Sequence, residues 1–462
     1  MFENIIDQAA ALQLEKDIAC GKLAPSMLFF GPPAAGKGSA ALELARAQSC
    51  EGDLSWKCAC PSCQRHRYLA HGDLLLLGAR RFSAEITASY SAFSRDPQAA
   101  ATKILFIRSL RKLTARFSPV FMEEDNRTSK LAPVLQALEE GINEFEAKSA
   151  PAAAGAAGGE GLEKLCKTLV KDAAKLEGEG IGGVIPVAHL RAAAYWCRLA
   201  PGGRRKTLII ENAGRMKDEG RNSLLKLLEE PPAHLNIVLT SERREAIMET
   251  LLSRLRPYRF LGRGAEKEAE VIRRVFRDNP DKIAPIAAQG GGGVSGGLLS
   301  AYMDSFLPQN TEKLYPLAAF FLASLARSAA LSHKKKSASG EIPAPVKALG
   351  ERFAPVAENA GFERSVKARD VIKNLFPPAS AADAGRLDDE SLPRFFSLCL
   401  EMAGEAFKAE GGTQSALYSD IFRKAFNEAG TATGVLNQSA SLAMEALFYR
   451  LKTGAAQAGA AP

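Results

Sequence analysis

L-I-I-E-N-A-G-R-M-K-D-E-G-R-N-S-L-L-K-L-L-E-E-P-P, from Leu208 to Pro232, decides how this chain is read. An apolar strand-like run, Thr207–Ile210, ends at Glu211-Asn212, where one carboxylate is followed by an amide. A helix is expected over Asp218–Glu230, with Asp218 as its N-cap and Pro231 as its stop. Leu224, Leu225 and Leu228 share one face of that helix, while Lys226 and Glu229 point away from it. The alternation continues outward. Ser26–Phe30 and Ile237–Thr240 read as strands, and Leu12–Cys20, Gly38–Gln48 and Val187–Leu199 as helices. Strands alternating with helices predict an α/β fold with a parallel sheet.

G-P-P-A-A-G-K-G-S, Gly31 to Ser39, sits between a strand and a helix, the context of a phosphate-binding loop. Gly31 and Gly36 permit the tight turn, backbone N–H groups surround phosphate oxygens, and Lys37 reaches the terminal phosphates. Gly38 stands where a hydroxyl is usual, and the hydroxyl follows one position later at Ser39. This resembles the G-K-G-T variant of adenylate kinases. A nucleotide kinase is therefore one reading, and the long helical C-terminal half argues against it.

Eight cysteines are present, four of them clustered as C-x7-C-x-C-x2-C at Cys50, Cys58, Cys60 and Cys63. Four thiolates at this spacing suit one tetrahedral Zn²⁺, which stabilises a loop too small for its own core. Such a zinc is structural, because protein sulfur fills all four positions. The alternative is a set of free cysteines.

The 462 residues predict two to three domains. A net charge of +8 permits contact with nucleic acid without establishing it. No aromatic–basic interleaving suggests a base-stacking platform, and His333–Lys336 reads as a solvated loop. The apolar runs Met27–Phe30 and Leu74–Leu77 fall far below the ~20 residues of a bilayer span. The N-terminus shows no secretory signal, so a cytoplasmic protein with no membrane partner is expected. Residues 112–183 include P-A-A-A-G-A-A-G-G-E-G (Pro151 to Gly161) and read as a partly flexible insertion that buries little apolar surface. Beyond residue 262 the pattern turns helical. The expected organisation is a core over 1–262, a helical lid over 263–310, an all-α region over 311–453 and a disordered tail over 454–462.

Together these landmarks resemble the bacterial clamp-loader ATPases of the AAA+ class, the gamma/tau and delta-prime subunits of the DNA polymerase III holoenzyme. F-E-N-I-I-D-Q (Phe2 to Gln8) resembles the opening segment, and the cysteine module follows the phosphate-loop helix as it does in that family. H-G-D-L (His71 to Leu74) is similar to the family's H-P-D step. N-S-L-L-K-L-L-E-E-P-P (Asn222 to Pro232) is the most specific match, Leu252–Leu255 corresponds to a Ser-Arg-Cys segment, and Asn437–Leu447 resembles the last collar helix. The resemblance implies an AAA+ core, lid and collar, and ATP with magnesium at Gly31, Gly36, Lys37, Gly38, Ser39 and Thr240. It also implies structural zinc, and as partners a ring of homologous subunits, the sliding clamp and primed DNA. Glu211 is the residual Walker B acid, Asn212 replaces the acid that polarises water, and Gly296 stands at the position of the lid arginine. Arg254 is kept as an arginine finger acting in trans. A disabled own site with a finger offered outward is the delta-prime pattern. The alternatives are a gamma/tau motor with a divergent Walker B strand, the nucleotide kinase, and a protein that binds DNA by itself.

Overall fold

The computed structural model describes residues 1–122, 128–149, 159–181, 184–282, 297–306, 311–336, 342–376, 387, 391–434 and 438–458. Two compact units emerge, Met1–Gly291 with Ser295–Leu307, and Gly292–Val294 with Pro308–Pro462.

The first unit is built on five parallel strands in the order β2-β3-β4-β1-β5: β1 Ser26–Phe30, β2 Leu74–Gly78, β3 Lys206–Glu211, β4 Leu235–Ser241 and β5 Arg256–Arg259. β3 and β4 are nearly continuous apolar runs because both of their faces are covered. Successive side chains feed opposite cores. Leu28, Leu208, Ile210, Ile237 and Leu239 form one, and Met27, Phe29, Ile209 and Val238 the other. β5, R-P-Y-R, escaped the sequence reading because it lies at the sheet edge with only Tyr258 buried, and an edge tolerates its proline.

Eleven described helices precede residue 253: α1 Ala9–Ala19, α2 Lys37–Gln48, α3 Pro61–Arg67, α4 Ser83–Arg95, α5 Ala100–Thr114, α6 Pro119–Met122, α7 Thr128–Lys148, α8 Gly159–Gly180, α9 Val187–Arg198, α10 Asp218–Glu229 and α11 Glu249–Leu252. In α10 the cap is Lys217 rather than Asp218, which is the first helical residue and pairs with Arg221 at 2.9 Å. Leu227 joins Leu224 and Leu228 in the core, and Leu225 is only half-buried.

The expectation that 112–183 buries little is corrected. Leu131, Leu135, Leu138, Ile142 and Phe145 form a helical stripe along α7, and Cys166, Leu169, Ala173 and Leu176 form another along α8. Both pack with Phe82, Phe93, Phe106 and Leu110 of the α4–α5 region. Glu177 of α8 accepts the Phe82 and Ser83 amides, which closes the start of α4. The Ala/Gly composition masked this 3.6-residue periodicity; residues 151–158 of the low-complexity stretch lie outside the described residues.

α12 (Ala265–Val275) and α13 (Leu298–Asp304) belong to the first unit, where Ile272, Phe276, Leu299 and Tyr302 meet Ala88 and Ala92 of α4. Gly296 lies outside the described residues.

The second unit is helical: α14 Thr311–Lys336, α15 Ala344–Asn359, α16 Ala368–Leu375, α17 Ser391–Glu410, α18 Gly412–Gly434 and α19 Ala440–Ala458. Phe321 of α14 meets Phe395, Phe426 and Phe448 edge-on at centroid distances of 5.9, 6.3 and 6.0 Å. One helix adds to the sequence reading, and two expectations are corrected here. Leu314–His333 is long and apolar enough to cross a bilayer, but 72% of that window is buried in the unit's own core. His333–Lys336 ends α14 instead of forming a loop. The tail expected to be disordered from 454 continues α19 to Ala458, since its alanines propagate the preceding helix, and 459–462 lie outside the described residues.

Candidate functional site

Strands β1, β3 and β4 bring their carboxyl ends to one edge of the sheet, the edge where parallel α/β sheets bind ligands. The phosphate loop follows β1 there. Gly36 adopts φ +93° as it opens α2, and a β-carbon on it would lie 2.9 Å from the Arg263 guanidinium. Arg263 secures the loop by donating Nε to the Ile6 carbonyl at 2.9 Å and Nη1 to the Ala34 carbonyl at 2.7 Å. Lys37 is buried and donates Nζ to the carbonyls of Gly31 and Pro32, both at 2.6 Å. Burial draws its pKa down to about 8 against the opposing pull of Glu242 and Glu211. Gly38 and Ser39 follow in the first turn of α2, with Ser39 exposed. The loop is thus a cradle with its ammonium folded inward.

Glu211 ends β3 beside this loop, so that a β-carbon on Gly38 would come within 2.9 Å of Glu211 Oε1. Its other oxygen, Oε2, accepts from Arg80 Nε at 3.0 Å and from Arg116 Nη2. Burial opposes charge on this carboxyl, yet Arg80 and Arg116 hold it below the usual carboxylate range. Arg80 also pairs with Glu85 at 2.6 Å, and Glu85 pairs with Lys112. Both arginines lie over the Phe82 ring, at 4.3 and 5.4 Å. Asn212 takes a left-handed conformation (φ +52°), donating its side-chain amide to the Ala79 carbonyl at 3.0 Å and its backbone N–H to the Thr240 hydroxyl at 3.2 Å. Thr240 is buried.

Sequence reasoning missed Arg80 and Arg116. Arg80 follows β2 at the ligand-binding edge, a positional signal that was available in principle. Arg116 lies after α5 in the segment read as an insertion, and nothing local marks it.

Arg254 follows α11 and is about one-third exposed. Its Nε (3.1 Å) and Nη2 (2.5 Å) both donate to Oε1 of Glu229, the last residue of α10, and Nη1 donates to the Thr250 carbonyl at 2.6 Å. The E-E-P-P step therefore also anchors the candidate finger. Leu255, where the family motif has cysteine, is a core residue.

The structure brings Cys50, Cys58, Cys60 and Cys63 together, all four sulfurs within 4.8 Å of one another. The Cys50 and Cys58 sulfurs are 3.6 Å apart, too far for a disulfide and close to the ~3.8 Å edge of a tetrahedron with 2.3 Å Zn–S bonds. Burial pushes the Cys60 thiol up, but backbone hydrogen bonds from Cys63 and Glu51 outweigh it and bring the pKa to about 6, whereas burial and the neighbouring thiols push Cys63 up, so the cluster shares its charge unevenly without a metal. The donor set fits zinc, which would be held by these four sulfurs. Arg46 of α2 donates Nη1 to Cys63 Sγ at 2.9 Å and Nη2 to Glu43 at 2.7 Å, with both charged side chains only 2% exposed. Arg46→Met leaves Glu43 buried without its partner, so the first unit is expected to lose about 3 kcal/mol, read as a lower midpoint in denaturant unfolding. An unchanged midpoint would contradict this account of the pair.

The H-G-D-L step is also explained. Asp73 accepts the Gly202 and Gly203 amides at 2.9 and 2.7 Å, shaping the turn into β3, and its own amide donates to His71 Nδ1 at 3.1 Å.

The sequence matches the family described as DNA polymerase III, delta subunit over residues 6–118 and 169–263, passing over α6, all of α7 and the start of α8. It is also similar to the DNA polymerase III gamma/tau subunits of Mycobacterium bovis and Mycobacterium tuberculosis, 29% identical over 133 residues in each case. Those matches cover 26% of this chain and 22% of the mycobacterial proteins, about a fifth of their length. Among solved structures, a gamma-subunit-related protein from Thermotoga maritima is similar at 15% identity, covering 59% of this chain and 81% of that one, with a TM-score of 0.24. That likeness carries no part of the assignment. The family match falls on the phosphate loop, the cysteine module and the β3–α10 segment described above, so the first unit carries the sequence pattern of that DNA polymerase III subunit family.

Proposed function

We propose that this chain is the delta-prime-type member of a clamp loader, assisting hydrolysis at a neighbouring subunit and performing little of its own. The observation that supports this most directly is the state of the two residues ending β3. Hydrolysis needs one acid for the metal and a second group to polarise water. Glu211 is engaged by Arg80 and Arg116, and Asn212, which takes up no proton, donates its amide to Ala79. Arg254 meanwhile stands at the surface of the same unit. In this reading residues 1–262 are the AAA+ core, α12 and α13 the lid, and α14–α19 the collar of a ring that loads a sliding clamp on primed DNA. The phosphate loop, with Gly31, Gly36, Lys37, Gly38 and Ser39, retains nucleotide phosphates, and the four cysteines hold structural zinc. DNA contact is shared across the ring, which suits a modest positive charge.

A gamma/tau motor is the second reading, favoured by the names of the mycobacterial relatives. ATP turnover by the purified chain separates the two. The delta-prime reading expects turnover below about 0.01 per second that Lys37→Ala does not change. A rate on the order of one per second, in the ordinary enzyme range and lost in Lys37→Ala, decides for the motor.

A further inference from the structure

Magnesium is the cation the family implies at the end of β3, and the residues there do not fit it. The Glu211 carboxylate beside the loop already carries Arg80 on Oε2 at 3.0 Å and Arg116 on the same oxygen. Among the described residues, the ion-paired cluster around it holds three cations, Arg80, Arg116 and Lys112, against two carboxylates, Glu211 and Glu85, and the next pair out, Lys37 and Glu242, adds one charge of each sign. A divalent ion would enter a cluster already in cationic excess, whereas a phosphate would bring the missing negative charge. Arg116 supplies an independent observation. It is 4% exposed, and its Nε and Nη1 are buried with no hydrogen-bond partner, leaving donors unsatisfied beside the carboxylate that borders the loop. Buried guanidinium donors are costly when unpaired and bind phosphate oxygens strongly when paired. Ser39, the displaced hydroxyl, is exposed in the first turn of α2.

We propose that Arg80 and Arg116 take the place of the divalent cation, so that this site binds a nucleoside di- or triphosphate free of magnesium. The proposal rests on the reading of residues 31–37 as a phosphate cradle. Lys37 turns from the Gly31 and Pro32 carbonyls to one end of the phosphate chain. Arg116 and Arg80 meet the other end from the β3 side. Glu211 acts as the counter-ion that holds the two guanidinium groups in place while the site is free.

The test is calorimetric titration of the full chain with ADP and with ATP, in 5 mM magnesium (about a thousandfold above protein) and in excess EDTA. Equal affinity within about twofold in the two solutions is expected. Arg116→Gln should weaken binding about tenfold or more in EDTA, and Glu211→Gln should tighten it about threefold or more by releasing both guanidinium groups. Thermal unfolding and circular dichroism establish that each variant is folded, and Arg116→Lys, which keeps the charge, should recover part of the loss. Binding that weakens tenfold in EDTA, or that Glu211→Gln abolishes in magnesium, overturns this proposal alone. Absence of binding in both solutions overturns the cradle reading and this proposal together.

Discussion

Arg254→Ala is expected to slow ATP cleavage at the adjacent site of the assembled clamp loader by about 10³-fold, the lower end of what an arginine finger contributes. On the delta-prime reading one site in the ring receives this side chain, so the readout has to resolve sites. A pre-steady-state burst should lose the amplitude of one site, and the steady-state rate should fall further only if the sites fire together. This chain's own nucleotide affinity should stay within about twofold, because Arg254 lies apart from its phosphate loop. Arg254→Lys should not restore the rate, since an ammonium lacks the planar fork that reaches two phosphate oxygens. The Glu229 pair gives an internal control. It is a partly exposed ion pair, at 31% and 47%, so breaking it should cost less than about 1 kcal/mol of stability. Any large kinetic loss therefore reports on the finger and not on folding. An unaltered burst in a ring that contains Arg254→Ala sinks the trans role.

Metal analysis of the purified chain is expected to find about one zinc per molecule, and Cys63→Ser should bring it close to zero. The physical expectation is a large loss of stability as well. Cys50 and Cys63 are fully buried, and Cys58 is 8% exposed, yet the segment between them has little other apolar packing. Metal binding is therefore most of its folding free energy. Loss of about 5 kcal/mol from the first unit corresponds to roughly 8 °C in Tm for a unit of this size. The effect should spread through Arg46, which ties Cys63 to Glu43 on the helix that opens at the phosphate loop. Chelation of the wild-type chain should reproduce the shift, and re-addition of zinc should reverse it. A chain that is free of zinc and equally stable after chelation would remove the metal reading.

Much of the fold was legible because its signals are local. Ser26–Phe30, Thr207–Ile210 and Ile237–Thr240 are apolar runs buried on both faces, and the observed strands extend them by only a few residues. β5 was not legible, because an edge strand with one buried side chain has no apolar run to read. The 112–183 segment was misjudged by averaging its composition. Its alanines and glycines dilute two leucine stripes that nonetheless repeat at helical spacing and close over α4 and α5. Leu314–His333 shows the same limit from the other side, since burial of an apolar helix by its neighbours is invisible along the chain.

At the site, the sequence by itself determined the phosphate loop, the four cysteines and the glutamate-asparagine pair, because each is set by residue type at short spacing. Chemistry of that kind survives whatever the rest of the chain does. What only the tertiary structure decided is the state of Glu211. Arg80 and Arg116 reach it across separations of 131 and 95 residues, and no local pattern encodes such a meeting. Its cause is the parallel sheet, which carries the ends of β2 and β3 to one edge, together with the burial of Arg116 after α5. A carboxylate placed there in a low-dielectric setting is taken by the nearest fixed cations, and in this chain those are its own arginines.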